Sequence, residues 1–379
     1  MWTVVNLVDR LKDEFEFGIV TRNHDGAGDP TPFRNVQTGE WNYFEGHQVY
    51  YADPKTCTKQ LAARLVDEFR PDAIFVNSVF GLTTRIVLDA RRKGLIGRVP
   101  VVVAPCGELS DNCLAIKPLK KSTFLGYAKL FRLYEGVIWK ASTELEADEI
   151  RQQFGSGLEI AVAPDIAPGS ILPDFRTENK PEKIPGKVKL ISVARFAPKK
   201  NIAFLLECLS HCKKGEYELD LIGGVDDESY FEECKRHIKV LPKNVKVEIG
   251  GPLSYTEVLQ RMVRSHFLAL PTLNENFGYV LLEALAAGCP LLISENTIWG
   301  RVADVGCGQV LRLDSPQDWV TALERCAGID GEAFSAVSAI ARQCALEWLS
   351  TSEDTIKNSR VLESVVSRDA VARFDVERA

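Results

Sequence analysis

No apolar run among these 379 residues approaches the roughly 20 needed for a helix to cross a bilayer. The start is equally uninformative as a leader, because Met1-Trp2-Thr3 runs directly into a helical pattern of Val4, Leu7, Val8, Leu11 and Phe15, with no signal peptide. Ten cysteines are present but none forms Cys-x-x-Cys, and the five histidines show no metal-ligand spacing, which argues for free, mostly buried thiols in a reducing cytosol over disulfides or zinc. Gly-x-Gly-x-x-Gly after a strand is missing, which weighs against a dehydrogenase. No Asp-x-Asp triplet occurs to hold a nucleotide-bound divalent ion. Excess positive charge is lacking too: the net charge is -6 and the pI about 5.6, the wrong sign for a nucleic-acid binder. No short-period repeat or low-complexity segment appears.

What is present is an ordinary globular composition, 45% hydrophobic and 26% charged, and a length that suits two or three domains. Short β-rich runs alternate with amphipathic helices, which predicts an α/β protein with parallel sheets. Strands are expected at Gly18–Thr21, Val49–Tyr51, Ala73–Val76, Val99–Ala104, Val137–Trp139 and Ile160–Ala163. Residues 167–187 break the pattern with four prolines and two glycines and read as a linker. The alternation resumes at Val188–Val193, Leu219–Ile222, Val245–Ile249, Phe267–Leu270, Leu291–Ile293 and Val310–Leu313, and residues from about Glu332 to Val366 read as continuous helix. The expected division is 1–180, 187–350 and a C-terminal helix over 351–379 that packs back toward the first domain. Two doubly wound, Rossmann-like domains with a cleft between them follow, with ligands beyond the carboxyl ends of the strands.

The most informative stretch is 270–290, Leu-Pro-Thr-Leu-Asn-Glu-Asn-Phe-Gly-Tyr-Val-Leu-Leu-Glu-Ala-Leu-Ala-Ala-Gly-Cys-Pro. A strand ends in a polar loop carrying Glu275, and a helix that starts near Phe277 carries Glu283 about 9 Å further along its axis. Free N–H groups of Asn276, Phe277 and Gly278 at the helix start form an anion site suited to a diphosphate without a metal. Carboxylates on either side can accept from sugar hydroxyls, so the layout suits a nucleotide-sugar. With Phe-Gly, Glu-Ala and Gly-x-Pro in register, the segment resembles the Glu-x7-Glu signature of family-4 retaining glycosyltransferases, which have the GT-B fold. The resemblance implies that Glu283 binds the ribose and Glu275 the donor sugar near the reacting centre.

A leaving nucleoside diphosphate gains charge as the glycosidic bond breaks, and fixed cations stabilise it. Arg195 at a strand end and Lys200 at a helix start fall on the Arg-x4-Lys element of the same family, with Asn201 where glycine is common. Asn tolerates the same unusual backbone angles. Gly223, in a turn after the next strand, reads equally as an ordinary turn or as part of the donor site. Leu253, after Gly251-Pro252, falls where the family places backbone contacts to the nucleobase.

In the first half, Pro105-Cys106-Gly107-Glu108 and Trp139-Lys140-Ala141-Ser142 resemble two loops of a bacterial subgroup that carries Arg and His where this chain has Cys106 and Lys140. Gly107, Glu108 and Lys140 are the acceptor-side candidates, and both replacements bear on acceptor choice. Basic residues alternate with aromatics over 117–134. They read either as a peripheral surface for a membrane or lipid-linked acceptor, or as a solvated helix over core aromatics. The family's usual first strand and Gly-rich loop are missing ahead of Thr3, which is read as a truncated start.

The sequence therefore leads to a cytoplasmic retaining glycosyltransferase, peripheral at the inner membrane face if the first reading of 117–134 holds. It would move a sugar from a nucleoside-diphosphate sugar to a saccharide or lipid-linked acceptor in polysaccharide or glycoconjugate synthesis, with no metal or cofactor. The alternatives are a degenerate nucleotide-binding homologue and, behind it, a nucleotide-sugar epimerase. Base, sugar, acceptor and oligomeric state are not legible.

Overall fold

The structure, a computed structural model, describes residues 2–24, 31–44, 46–168 and 180–376, without the side chains of 2 and 368–376. Most of the Pro-rich break, 169–179, lies outside the described residues. The chain forms two compact units, Met1–Ala167 with Glu353–Ala379, and Pro168–Ser352.

The first unit opens with helix α1 (Trp2–Leu11), strands β1 (Gly18–Arg22), β2 (Trp41–Phe44) and β3 (His47–Ala52), and helix α2 (Lys59–Phe69). Strand β4 (Ile74–Asn77), α3 (Leu82–Arg92), β5 (Val101–Ala104), α4 (Asp111–Leu114), α5 (Pro118–Leu130), β6 (Ile138–Ala141), α6 (Glu144–Phe154) and β7 (Ile160–Val162) follow. These strands form two hydrogen-bonded sheets, β1-β3-β2 and β4-β5-β6-β7. The second is parallel throughout, whereas β2 runs antiparallel to β3. Strand β2 was not anticipated: Trp41-Asn42-Tyr43-Phe44 is short, and Tyr43 and Phe44 face solvent. The two sheets share a core in which Phe17, Ile19 and Phe75 pack with Leu7, Val8 and Leu11 of α1.

The second unit runs β8 (Lys187–Val193), α7 (Ile202–His211), β9 (Glu216–Ile222), α8 (Glu228–Lys239), β10 (Val245–Gly251), α9 (Tyr255–Val263) and β11 (Phe267–Leu270). It continues with α10 (Tyr279–Ala286), β12 (Leu291–Ser294), α11 (Arg301–Asp304), β13 (Gly308–Leu311), α12 (Pro316–Gly328) and α13 (Gly331–Thr351). Its six strands lie in the order β10-β9-β8-β11-β12-β13, all parallel, the doubly wound arrangement in which the strand order reverses beside β8 and β11. Strands β11 and β12 are buried along their whole length, which is why they read as continuous apolar runs without alternation.

Two lysines fasten the start of this unit. Lys183 donates to the carbonyls of Ala327 and Ile329 at the end of α12, at 2.8 and 2.9 Å, and Lys180 donates to the Ser265 carbonyl at 2.8 Å. Such cations satisfy orphan carbonyls at helix C-termini.

The expected continuous C-terminal helix is two helices. It breaks at Ser352 and Glu353, and α14 (Asp354–Val376) begins as the chain re-enters the first unit. Asp354 accepts from the Ala167 N–H at 2.9 Å, and Asn358 donates to the Pro164 carbonyl at 2.7 Å, so α14 is pinned where β7 leads out of the unit. Seven of the ten cysteines are buried, and Cys57, Cys106 and Cys344 are half-buried.

Candidate active site

Strand β11 ends at Leu270, and the loop 271–278 leads into α10. Gly278 caps that helix with φ +77°, and a Cβ there would lie 2.9 Å from Leu281 Cδ1 and 3.0 Å from Glu275 Cγ. Only glycine permits this turn, and the Glu275 side chain lies directly over it. The helix begins at Tyr279, two residues later than the sequence suggests, because Gly278 takes the left-handed conformation. Asn276 and Phe277 lie in the loop just ahead of it. The N–H groups of Phe277 and Gly278 make no hydrogen bond among the described residues. The Phe277 carbonyl is held from behind by Trp299 Nε1–H at 2.6 Å.

Glu283 sits in the middle of α10 with 6% exposure, and burial pushes its carboxyl up to about 7. Tyr255, the first residue of α9, faces it: burial and then the Glu283 charge push the Tyr255 phenol up. Leu253 is two residues upstream of Tyr255, beyond the capping box that Ser254 and Glu257 build at the start of α9.

Lys200 does not open a helix. It closes a 3-10 turn, Pro198–Lys200, after which Asn201 takes φ +55° and α7 begins. Lys200 Nζ meets Glu275 Oε2 at 2.5 Å, and the two side chains are only 18% and 15% exposed. The turn and the glutamate loop are tied together through Thr272, which is fully buried. Its hydroxyl lies 2.9 Å from the Asn274 carbonyl and 3.2 Å from that of Lys199, and the Leu273 N–H donates to the same Lys199 carbonyl at 2.8 Å. Ser294 Oγ donates to the Thr272 carbonyl at 2.5 Å, and the Glu275 N–H donates to the Asn296 carbonyl at 3.0 Å. Sequence reading missed Thr272. A hydroxyl residue two positions after an apolar strand end was its one signal.

Arg195 follows β8 and is 67% exposed. Its guanidinium pairs with Asp226 Oδ2 at 2.9 Å. Gly223 packs against the same backbone: a Cβ there would lie 2.1 Å from the Ala194 carbonyl oxygen. That close approach, more than turn chemistry, is why the position is glycine. Asp227 caps α8, accepting from the Tyr230 N–H at 3.1 Å.

The acceptor-side candidates of the first unit are placed differently from expectation. Lys140 is 2% exposed, and its ammonium pairs with Asp165 at 2.8 Å and Ser142 Oγ at 3.2 Å. It sits on β6, all four of whose residues are buried, so its charge is spent inside the unit. The Glu108 carboxylate is likewise engaged, accepting from Ser78 Oγ at 2.9 Å and from the N–H groups of Val79 at 2.7 Å and Phe80 at 3.2 Å. It stabilises the β4–α3 loop instead of standing free for a ligand. Gly107, with φ +74°, donates to Glu146 Oε1 at 2.6 Å. Cys106 is held at φ +54°, and burial pushes its thiol up, followed by the charges of Asp165 and Glu146.

Comparison with known proteins gives these observations a frame. Solved structures with like architecture include Anabaena HepE in complex with UDP and glucose, at TM-score 0.66 and 16% identity over 97% of this chain and 95% of that one. Sucrose-phosphate synthase from Thermosynechococcus elongatus matches at TM-score 0.70 and 16% identity over 98% and 93%. WaaG, a glycosyltransferase involved in lipopolysaccharide biosynthesis, matches at 0.64 and 15% over 96% and 95%. The fold is GT-B. Residues 174–323 match the family described as glycosyl transferases group 1. In sequence, it is similar to a D-inositol 3-phosphate glycosyltransferase of Streptomyces bingchenggensis, 24% identical over 207 residues, which is 50% of this chain and 45% of the relative. A Nocardioides protein of the same description is 28% identical over 114 residues, 29% of this chain and 24% of the relative. The matched region thus spans less than half the length of either relative. No helix among the described residues is long and apolar enough to cross a membrane.

Proposed function

We propose that the chain is a retaining glycosyltransferase that takes a sugar from a nucleoside-diphosphate donor without a metal ion. The observation that carries this reading is the convergence of Lys200, Glu275 and the start of α10 on one spot, with Glu275 lying over Gly278 and touching Lys200. A cation and a helix N-terminus together stabilise the diphosphate that leaves. Arg195 would contribute a second, bidentate cation. The N–H groups of Phe277 and Gly278, with Asn276 beside them, would face the phosphates. Glu283 would accept from the ribose hydroxyls, Glu275 from the donor sugar, and the backbone at Leu253 would contact the base. Retention requires no dedicated base on the protein if the departing phosphate oxygen takes the acceptor's proton. Glu108 and Lys140 are not carried forward as acceptor contacts, because internal partners hold both. A saccharide or lipid-linked acceptor, and a place in polysaccharide synthesis, rest on the family resemblance.

Thermal unfolding with UDP, GDP and ADP tests the donor site. A nucleotide at 100 times its Kd stabilises by about 2.7 kcal/mol, an upward shift of several degrees. The shift should appear with one base and vanish in Glu283→Ala. No shift with any nucleotide would refute the reading.

A peripheral membrane contact also belongs to this proposal. On α5 and the turn that ends it, Leu119 and Leu130 are 80% and 77% exposed, and Tyr127 and Phe131 are half-exposed beside Lys120, Lys129 and Arg132. Apolar side chains with a basic fringe suit an anionic headgroup layer. Cosedimentation with phosphatidylglycerol vesicles but not phosphatidylcholine vesicles, lost in Leu119→Ser/Leu130→Ser, is the expected result.

A further inference from the structure

Both cations assigned to the diphosphate already have an acidic partner. Lys200 contacts Glu275 at 2.5 Å, and Arg195 contacts Asp226 at 2.9 Å. The four side chains sum to zero charge, so a bare diphosphate entering here has only the start of α10 as uncompensated positive potential and is repelled by two carboxylates. The pairs differ in setting. Lys200 and Glu275 are largely buried, where a charge left without compensation is costly. Arg195 is mostly in water, where its pair is weak and screened.

This difference has a chemical consequence, which rests on the donor-site reading above. If the ammonium turns to a phosphate, Glu275 is left next to an anion in a poorly hydrated position. A sugar on the diphosphate supplies hydroxyl donors that take over from Lys200; a free nucleoside diphosphate has only its ribose hydroxyls, which Glu283 engages. We propose that Glu275 is the specificity-determining residue by which the site distinguishes a nucleoside-diphosphate sugar from the free nucleoside diphosphate, holding Lys200 neutralised until sugar hydroxyls release it. Asp226 has no such selectivity. It competes with both ligands for Arg195 alike. The same arrangement weakens the hold on the product once the sugar has left.

Calorimetric titration of the full chain with UDP and UDP-glucose, GDP and GDP-mannose, and ADP and ADP-glucose tests this. For whichever base binds, Glu275→Gln should bind the free diphosphate about tenfold tighter, while the sugar-bearing ligand gains nothing, so the ratio of the two Kd values shifts by about tenfold. Asp226→Asn, an exposed change that spares the fold, should tighten both ligands by a similar, smaller factor and leave the ratio unchanged. An unaltered ratio in Glu275→Gln would overturn the inference, as would a changed ratio in Asp226→Asn. If wild type and both variants bind none of the six compounds, the donor-site assignment itself fails. If Glu275→Gln does not fold, inhibition of sugar transfer by free diphosphate decides: Asp226→Asn must raise it in step with donor affinity, and a divergence of the two refutes the inference.

Discussion

Glu283→Gln separates the cost of the buried carboxylate from its use. Glu283 is 6% exposed, and burial lifts its carboxyl from the ordinary 4.5 to about 7. At about 1.4 kcal/mol per pH unit, that gap is roughly 3 kcal/mol of differential stability. The sign follows from linkage. The folded protein holds its proton more tightly than the unfolded chain, so the stability is fully present below about pH 4.5. It is lost as pH rises to about 7, where the folded state too must ionise a buried group. Glutamine keeps the shape and carries no charge. Without ligand, the variant should match wild type at pH 4 and exceed it by about 3 kcal/mol at pH 8, which corresponds to roughly 6–12 °C in Tm for a unit of this size. Urea unfolding across pH 4–8 reads this directly. The effect should reverse with saturating nucleotide, because ribose hydroxyls favour the ionised carboxylate, and wild-type affinity should rise between pH 6 and 8. A stability difference that stays flat with pH would refute the reasoning.

Three further outcomes are expected. Lys140→Met, which strands the buried Asp165 carboxylate, should cost about 3–5 kcal/mol in urea unfolding, whereas Lys140→Met/Asp165→Leu should recover most of it. Gly223→Ala forces a Cβ to within 2.1 Å of the Ala194 carbonyl oxygen, so it should destabilise by about 3 kcal/mol or more and weaken nucleotide binding through Arg195. Thr272→Val removes the hydroxyl between the Lys199 and Asn274 carbonyls; it should cost about 1–2 kcal/mol and lower kcat for sugar transfer more than it raises KM, because it loosens Lys200 against Glu275.

The sequence by itself determined the α/β alternation, eleven of the strands of the two units to within two residues, and the joint appearance of Glu275, Gly278, Glu283, Arg195 and Lys200. These are matters of local period and spacing, which the covalent chain carries on its face. It could not show that Trp41–Phe44 would pair antiparallel with β3, because a four-residue strand with two exposed aromatics has no buried face to reveal it. The break at Ser352 was hidden as well, since the residues on both sides favour helix and the bonds that hold the start of α14, Ala167 to Asp354 and Asn358 to Pro164, form only in the folded chain. Above all, side-chain destiny was undecided. Lys140 and Glu108 looked like free polar groups in loops, yet tertiary packing gave each an internal partner. Asp226, which nothing in the sequence singled out, became the partner of Arg195. Charge is a property of the residue, but whether it faces a ligand or another residue depends on what the fold sets within a few ångströms of it, and residues 31 to 75 positions apart in the chain meet here only through packing.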